Sequence, residues 1–268
     1  FARRVDDARE VLSVIEGEDG LDGTSSKSTS DDVQVDSLKG VKVGVPKEYF
    51  AEGLDPEVEK RIREGIAKME ELGAQIKEIS LPHSKYALAT YYIIMPAEVS
   101  SNMGRYDGIR YGTSDNKADE LIDLYKENRT ASLGEEVRRR VMLGTYVLSA
   151  GYYDAYYARA QKVRRLIRQD FEKAFEEVDV IAGPVVPTPA FKIGEKTDDP
   201  LEMYLSDIYT VPVNLAGLPG LSVPAGFTES KLPVGMHLIG KWWEDHKLLD
   251  IAEHFESATE YYKEKPTL

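Results

Sequence analysis

The spacing of apolar residues predicts helices and strands that alternate along the chain. Apolar side chains recur at helical spacing from Val5 to Ile15 and predict a helix within residues 1–16. Residues 17–39 are rich in Ser, Asp, Gly and Thr, a composition typical of a long surface connection. Residues 40–268 carry the periodicities of packed strands and helices, which we interpret as one domain.

A strand, a helix and a second strand follow this connection. Residues 41–45 alternate as a strand does, up to Pro46. Residues 55–57, Asp-Pro-Glu, supply a helix N-cap, a proline at the first helical position and an early acid, and the predicted helix ends near Gly73. Residues 75–80 form the next strand. Because two strands joined by one helix usually pair in parallel, this segment predicts a crossover unit.

The rest of the chain continues the alternation of helices and strands. Residues 83–151 are mainly helical in pattern, with breaks expected at Pro96, at residues 104–112 and at Gly134. A long amphipathic helix is predicted over residues 154–177. Three strands and a terminal helix complete the set, at residues 178–182, 221–224, 235–239 and 245–262. The expected fold class is α/β, with a mixed, mostly parallel sheet flanked by helices.

Composition and charge exclude several classes of function. Thirty-four Lys and Arg against 47 Asp and Glu give a net charge of −13, a field that repels phosphate backbones. The chain has no cysteine, and its four histidines lack the spacing of a zinc-hydrolase ligand set. No phosphate-binding loop is present, and no apolar run approaches the ~20 residues that span a bilayer. We therefore expect no membrane contact, no metal site and no ATP site in this chain.

One carboxylate, Asp207, stands at the head of an otherwise uncharged segment, residues 203–226. Three prolines and three glycines in this segment predict repeated turns in apolar surroundings. A carboxylate placed there costs several kcal/mol unless a cation meets it. The cation could be a protein side chain or the ammonium group of a bound ligand, and the residues alone leave both open.

Four segments together resemble the amidase-signature family: residues 81–92, 136–144, 149–157 and 203–226. The resemblance covers essentially all 268 residues and implies part of the amidase-signature fold. Members of this family use a serine nucleophile in a Gly-Gly-Ser type run, a second serine and an upstream lysine. This sequence has no Gly-Gly dipeptide before a serine. The resemblance is thus to the C-terminal half of the family domain, and we expect the nucleophile to precede Phe1, no catalytic residue in the chain, and no activity of the chain alone.

The resemblance also implies three substrate-binding residues. Arg140 is similar to the arginine that binds the α-carboxylate of glutamine, and a guanidinium fork suits a carboxylate. Asp207 corresponds to the acid that receives the α-ammonium group, and Tyr91 to a tyrosine lining the same pocket. From the residues alone, Arg140 could instead be an exposed member of the Arg138–Arg140 triplet, and Tyr91 an ordinary packing residue.

The function implied is that of a glutamine-hydrolysing subunit, which supplies ammonia to a tRNA-dependent amidotransferase in the cytoplasm. Its expected partners are a tRNA-binding kinase and transamidase subunit, which uses ATP and Mg, and a small linking subunit. Charged tRNA would be contacted only indirectly. Two alternatives stay open: a general amidase acting on neutral amides, and a non-catalytic scaffold for assembly of the complex. A neutral amide would leave both Arg140 and Asp207 unpaired, which argues against the general amidase.

Overall fold

The computed structural model describes residues 1–23, 25, 34–110, 118–195 and 200–266, without the side chains of 200–202. The helices in these ranges are α1 (Val5–Ile15), α2 (Pro56–Glu71), α3 (Ala87–Met103), α4 (Leu121–Ser132), α5 (Glu135–Leu148), α6 (Ala158–Ala174), α7 (Pro200–Leu205), α8 (Val211–Ala216) and α9 (Asp245–Thr259). The strands are β1 (Lys42–Pro46), β2 (Gln75–Ile79), β3 (Val180–Pro184), β4 (Gly220–Phe227) and β5 (Pro233–Ile239). The α/β class predicted from the sequence is confirmed.

These elements divide into two compact units, which the sequence pattern did not predict. The first unit comprises residues 1–85 and 167–268, and the second comprises residues 86–166. All described strands belong to the first unit, and α3, α4 and α5 belong to the second. Helix α6 crosses the division, which falls at Leu166.

The sheet of the first unit has the order β2-β1-β3-β5-β4. β1 pairs in parallel with both β2 and β3, which confirms the predicted crossover unit. β5 is antiparallel to β3 and β4, so four of the five described strands run in one direction and β5 runs in the other. Every residue of β3 is buried, as expected for a central strand.

Helices α2 and α9 cover this sheet with apolar faces. Ile62 and Met69 of α2 and Phe255 of α9 are fully buried, and both helices contact β5. Gly65 of α2 permits this close packing, because a Cβ atom there would lie 3.3 Å from the Met236 sulfur. The predicted cap of α2 is confirmed, since Asp55 Oδ1 accepts from the backbone N–H groups of Glu57 and Val58 at 2.8 and 3.2 Å.

The second unit is helical, and its centre is the crossing of α3 and α5. The break predicted at Pro96 is wrong, because α3 runs through this residue from Ala87 to Met103. The breaks predicted at residues 104–112 and at Gly134 fall between helices, although residues 111 and 112 lie outside the described ranges. The long helix predicted over residues 154–177 begins with a π-helical turn, Tyr153–Tyr157, and ends at Ala174.

The structure tests the helix predicted at the N-terminus and part of the connection predicted after it. Helix α1 matches the predicted helix within residues 1–16. Much of the connection predicted over residues 17–39 lies outside the described residues, namely 24 and 26–33. Its described end is attached to α9, because the Val35 N–H donates to Asp250 at 3.0 Å and the Val35 carbonyl oxygen lies 2.7 Å from His254 Nε2.

Candidate functional site

Arg140 lies on the face of α5 that packs against α3. Its side chain is 28% exposed, whereas Arg138 and Arg139 are exposed. Arg140 Nε donates to Glu136 Oε1 at 2.8 Å, and its Nη1 lies 3.5 Å from the Met95 sulfur. The interpretation of Arg140 as one exposed member of an arginine triplet therefore does not hold, because its side chain is directed to the helix interface.

The surroundings of Arg140 are aromatic as well as charged. Its guanidinium carbon lies 5.8 Å from the ring centroid of Tyr92, a cation–π arrangement. Tyr91 and Tyr92 make an edge-to-face pair with centroids 5.4 Å apart. Partial burial works against the charged form of Arg140, yet the hydrogen bond to Glu136 and the negative charge of Glu136 raise the pKa of the guanidinium. The structure thus brings Tyr91 and Arg140 into one neighbourhood of the second unit.

Glu136 is the residue at this site to which the sequence reasoning gave no role. Its two carboxylate oxygens are shared, because Oε1 accepts from Arg140 and Oε2 accepts from Arg139 Nη1 at 2.5 Å. The signal was readable from the sequence, since Glu136 and Arg140 are four residues apart on one helix and such pairs meet. Arg140 is therefore held by an internal counter-ion and is not an isolated cation.

Asp207 belongs to the first unit and lies in a turn that leads into α8. Its backbone N–H donates to the Tyr204 carbonyl oxygen at 3.1 Å, and its own carbonyl oxygen accepts from the N–H groups of Thr210 and Val211. The residue is exposed, so the expectation that Asp207 is enclosed by apolar surroundings is wrong for this chain. The buried part of the turn is Tyr209.

The segment that follows Asp207 is more regular than its prolines and glycines suggested. Pro212 lies in the first turn of α8, where a missing N–H costs little. Gly217 ends this helix in the left-handed conformation with φ of 73°, the conformation that glycine adopts most readily. The chain then enters β4, which includes Pro224. The segment is therefore one short helix, one glycine cap and one strand.

His237, to which the sequence assigned no chemistry, lies on β5 between β3 and β4. It is 6% exposed, and its Nδ1 has no hydrogen-bond partner among the described residues. Burial lowers the pKa of His237 to about 4, which keeps the ring neutral at pH 7.

His83 and Asp170 connect the first resembling segment to α6. The His83 N–H donates to Asp170 Oδ2 at 2.8 Å, and His83 Nδ1 lies 2.9 Å from Asp170 Oδ1. Asp170 is only 6% exposed, so these bonds supply the partners that a buried carboxylate requires. We interpret the pair as an anchor for the loop that follows β2.

A groove of about 720 Å³ lies in the first unit between α1 and β4. Its lining includes Val11 and Ile15 of α1 and Leu221 and Val223 of β4, and it contains none of the three residues implied by the resemblance. Within the described ranges, no group of three or more His, Asp or Glu residues could hold a metal ion. None of the helices in those ranges has both the length and the apolar character needed to cross a membrane.

One family model accounts for most of the sequence. The Amidase model matches residues 1–249, which include Tyr91, Arg140 and Asp207. The chain belongs to the amidase family. Family membership agrees with the resemblance of the four sequence segments, all of which fall within the matched residues.

Two named relatives show which kind of amidase this amidase chain resembles. It is 52% identical over 271 residues to the A subunit of glutamyl-tRNA(Gln) amidotransferase from Halalkalibacterium halodurans, a match that covers 100% of this chain and 56% of the relative. The crystal structure of the corresponding A subunit from Thermotoga maritima is 39% identical with a TM-score of 0.74, over 96% of this chain and 51% of that chain. The amidase chain thus spans about half the length of the curated relatives it matches.

The fold extends to an enzyme named for a different substrate. A bacterial aryl acylamidase of the amidase-signature family matches 97% of this amidase chain and 53% of its own length, with a TM-score of 0.73 and 23% identity. At that identity the likeness shows the fold alone. The choice between substrates therefore depends on the side chains rather than on the architecture.

Proposed function

We propose that this chain is the substrate-binding part of the glutamine-hydrolysing subunit of a tRNA-dependent amidotransferase, which converts Glu-tRNA(Gln) to Gln-tRNA(Gln). The observation that carries the proposal is the 52% identity, over the full length of this chain, to the H. halodurans relative named for that enzyme. The reaction of the whole subunit is the hydrolysis of glutamine by water to glutamate and ammonia. The ammonia then passes to a partner subunit that uses ATP and Mg to activate the acceptor.

The proposed substrate is a free amino acid with two opposite charges. Arg140 binds the α-carboxylate of glutamine, Asp207 binds the α-ammonium group, and Tyr91 packs beside Arg140. A guanidinium has five N–H donors, and the described contacts of Arg140 engage its Nε and Nη1, so donors remain for a carboxylate. The exposure of Asp207 in this chain is compatible with a ligand that approaches from solvent.

The chain by itself is proposed to hydrolyse no glutamine. Its sequence contains no Gly-Gly-Ser run that could supply the family nucleophile. The partners proposed for the whole subunit are a small linking protein and the tRNA-binding transamidase, with charged tRNA reached only through them. The net charge of −13 agrees with an indirect contact, because the field of the chain repels a phosphate backbone.

The test uses a chimaera in which this chain replaces the matching 56% of the H. halodurans relative. The chimaera is co-expressed with the partner subunits of that organism, and ammonia release is measured with glutamine and with a neutral aryl carboxamide. We expect kcat/KM for glutamine to exceed that for the neutral amide by about 10³-fold or more, because a neutral substrate makes no charge-assisted hydrogen bond to Arg140 or Asp207.

Three results would contradict the proposal or one of its parts. Equal use of the neutral amide would assign the chain to the general amidases. A chimaera that is folded by circular dichroism and copurifies with its partners, yet releases no glutamate, would favour the scaffold. Glutamate release by the isolated chain would contradict the proposed inactivity of the chain alone.

A further inference from the structure

Two buried tyrosines connect the sheet of the first unit with the turn that carries Asp207. Tyr49 lies in a short 3-10 helix, Lys47–Phe50, directly after β1 and is 1% exposed. Tyr209 lies two residues after Asp207 and is 7% exposed. The two ring centroids are 5.0 Å apart with an interplanar angle of 50°. This distance and tilt are typical of aromatic pairs that contribute beyond the area they bury.

The sheet provides a fixed support for this tyrosine pair. A Cβ atom at Gly183 of β3 would lie 2.8 Å from Tyr49 Cδ2, so the ring of Tyr49 rests directly on the backbone of the central strand. Strands β1 and β3 are hydrogen-bonded neighbours. Tyr49 is therefore attached to one strand through the chain and packed on the next, which leaves its ring little freedom to move.

The turn connects the position of Tyr209 to that of Asp207. The Asp207 carbonyl oxygen accepts from the N–H groups of Thr210 at 3.1 Å and Val211 at 3.0 Å, so Tyr209 lies inside a hydrogen-bonded loop that starts at Asp207. A shift of the Tyr209 backbone would therefore move the hydrogen-bonded turn that includes Asp207. Asp207 is exposed while Tyr209 is buried, so the turn presents the acid to solvent and is anchored by the tyrosine.

We propose that Tyr209, packed on Tyr49, is a positioning residue that fixes where the Asp207 carboxylate meets the ammonium group of the substrate. The inference rests on the proposed function, because it assumes that Asp207 binds the substrate ammonium. Tyr209 itself touches no reacting atom in this assignment. Its contribution is to hold a charged group in place before the ligand arrives, which lowers the entropy cost of binding.

The ring of Tyr49, rather than its hydroxyl group, carries this role. The Tyr49 hydroxyl is buried and has no hydrogen-bond partner among the described residues. Burial raises the pKa of Tyr49 far above its usual value, so the phenol stays neutral. Removing this hydroxyl takes away an unsatisfied polar group and leaves the ring contact in place. Tyr49→Phe is therefore a conservative variant, and Tyr209→Leu is the variant that removes the aromatic contact.

The experiment measures kcat and KM for glutamine in the chimaera defined above. We expect Tyr209→Leu to raise KM about tenfold with kcat within about twofold, since a displaced acid weakens ground-state and transition-state binding alike. Tyr209→Phe and Tyr49→Phe should keep KM within about threefold of the parent. The double variant Tyr209→Leu/Asp207→Asn should have the KM of Asp207→Asn alone, because the tyrosine acts only through the acid.

A matched control removes a different aromatic contact of the same unit. Phe227 and Tyr261 pair edge-to-face with centroids 6.2 Å apart, and neither makes a described contact with the Asp207 turn. Tyr261→Leu should lower the thermal midpoint and leave KM unchanged. If Tyr209→Leu reduces the folded fraction, Tyr209→Met retains bulk without the ring and supplies the same comparison.

The outcomes separate this inference from the function on which it rests. An unchanged KM in Asp207→Asn would overturn the role of Asp207 and with it the proposed function at this residue. A raised KM in Asp207→Asn, together with an unchanged KM in Tyr209→Leu and Tyr209→Met, would overturn the positioning role alone. A Tyr209→Leu effect that adds fully to that of Asp207→Asn would also overturn it.

Discussion

The backbone of Gly144 in α5 packs directly against the carbonyl group of Pro96 in α3. A Cβ atom at Gly144 would lie 1.8 Å from the Pro96 oxygen and 2.7 Å from the Ser100 Cβ, far inside any permitted contact. Ser100 and Thr145 join the same two helices through a hydroxyl–hydroxyl hydrogen bond of 2.8 Å. Glycine is therefore required at this crossing because of its size rather than its backbone freedom.

Replacement of this glycine should disrupt the second unit. We expect Gly144→Ala to lower the free energy of unfolding by at least about 2 kcal/mol, since overpacking a close helix contact forces the backbones apart. Urea denaturation followed by circular dichroism measures the change. Gly134→Ser is the control, because a side chain there meets no atom within 4 Å and serine is a favourable N-cap. Equal stability of Gly144→Ala and the parent chain would show that the crossing is looser than described.

The same crossing explains one incorrect prediction. A proline inside a helical pattern usually ends or kinks the helix, and the sequence therefore predicted a break at Pro96. The helix nevertheless continues through Pro96, whose carbonyl group packs against Gly144, 48 positions further along the chain. Caps, periodicities and crossover units are local and were predictable. The α3–α5 contact is not local and was not.

Loss of either proposed ligand-binding charge should weaken glutamine binding in the chimaera. We expect Arg140→Met and Asp207→Asn each to raise KM for glutamine about 10- to 100-fold, the effect of losing one charge-assisted hydrogen bond. Steady-state kinetics with varied glutamine measure the effect. Arg138→Met, at an exposed position on the same helix, is the matched control and should leave KM unchanged. A similar KM in all three variants would argue against a zwitterionic substrate.

The ion pair between Glu136 and Arg140 should contribute less to glutamine binding than the charges of Arg140 and Asp207 do. Glu136→Gln is expected to raise KM for glutamine about twofold, because a partly exposed i,i+4 pair contributes only ~0.5 kcal/mol to the orientation of its partner. Glu135→Gln, at a position whose 83% exposed side chain pairs with Arg139, provides the comparison. A lower KM in Glu136→Gln would mean that Glu136 competes with the substrate carboxylate instead of orienting Arg140.

The buried His237 should make the stability of the chain depend on pH. Its pKa of about 4 in the folded chain lies below the usual value near 6.5, so the unfolded chain binds the proton more readily. The contribution of neutral His237 to the free energy of unfolding is complete above about pH 6.5. As the pH falls from 6.5 towards 4, the free energy of unfolding decreases by about 3 kcal/mol. Urea denaturation from pH 7 to pH 4 should show a shallower decline in His237→Gln than in the parent. A decline in His237→Gln as steep as that of the parent would show that a group other than His237 governs the pH dependence.

The N-cap of α2 offers a test of local stability. Asp55→Ala removes the acceptor for two backbone N–H groups, and we expect it to lower the free energy of unfolding by about 1 kcal/mol. Asp55→Asn retains a side-chain oxygen and should cost much less. Thermal unfolding of the three proteins measures the difference. A loss as large in Asp55→Asn as in Asp55→Ala would assign the effect to charge at the helix terminus instead of capping.

Individual residues of the candidate site could be predicted from the sequence, but the buried residues that support them could not. The resemblance selected Arg140 and Tyr91, and the structure places both near Tyr92. The Glu136 partner could have been read from helical spacing alone. The role of Tyr49 could not be predicted, because its contact with Tyr209 joins residues 160 positions apart in the sequence. Nothing in the neighbouring sequence distinguishes Tyr49 among the 16 tyrosines of the chain. Its contact depends on the order of strands, which periodicity does not determine.

The place of β3 between β1 and β5 has a consequence for synthesis on the ribosome. Residues 42–79 can form their parallel pair as soon as they emerge, yet the other edge of β1 stays unpaired until residues 180–184 have been translated. During that interval an apolar strand edge is open to association with other chains. We expect chaperone dependence in the cell to concentrate on nascent chains of this intermediate length.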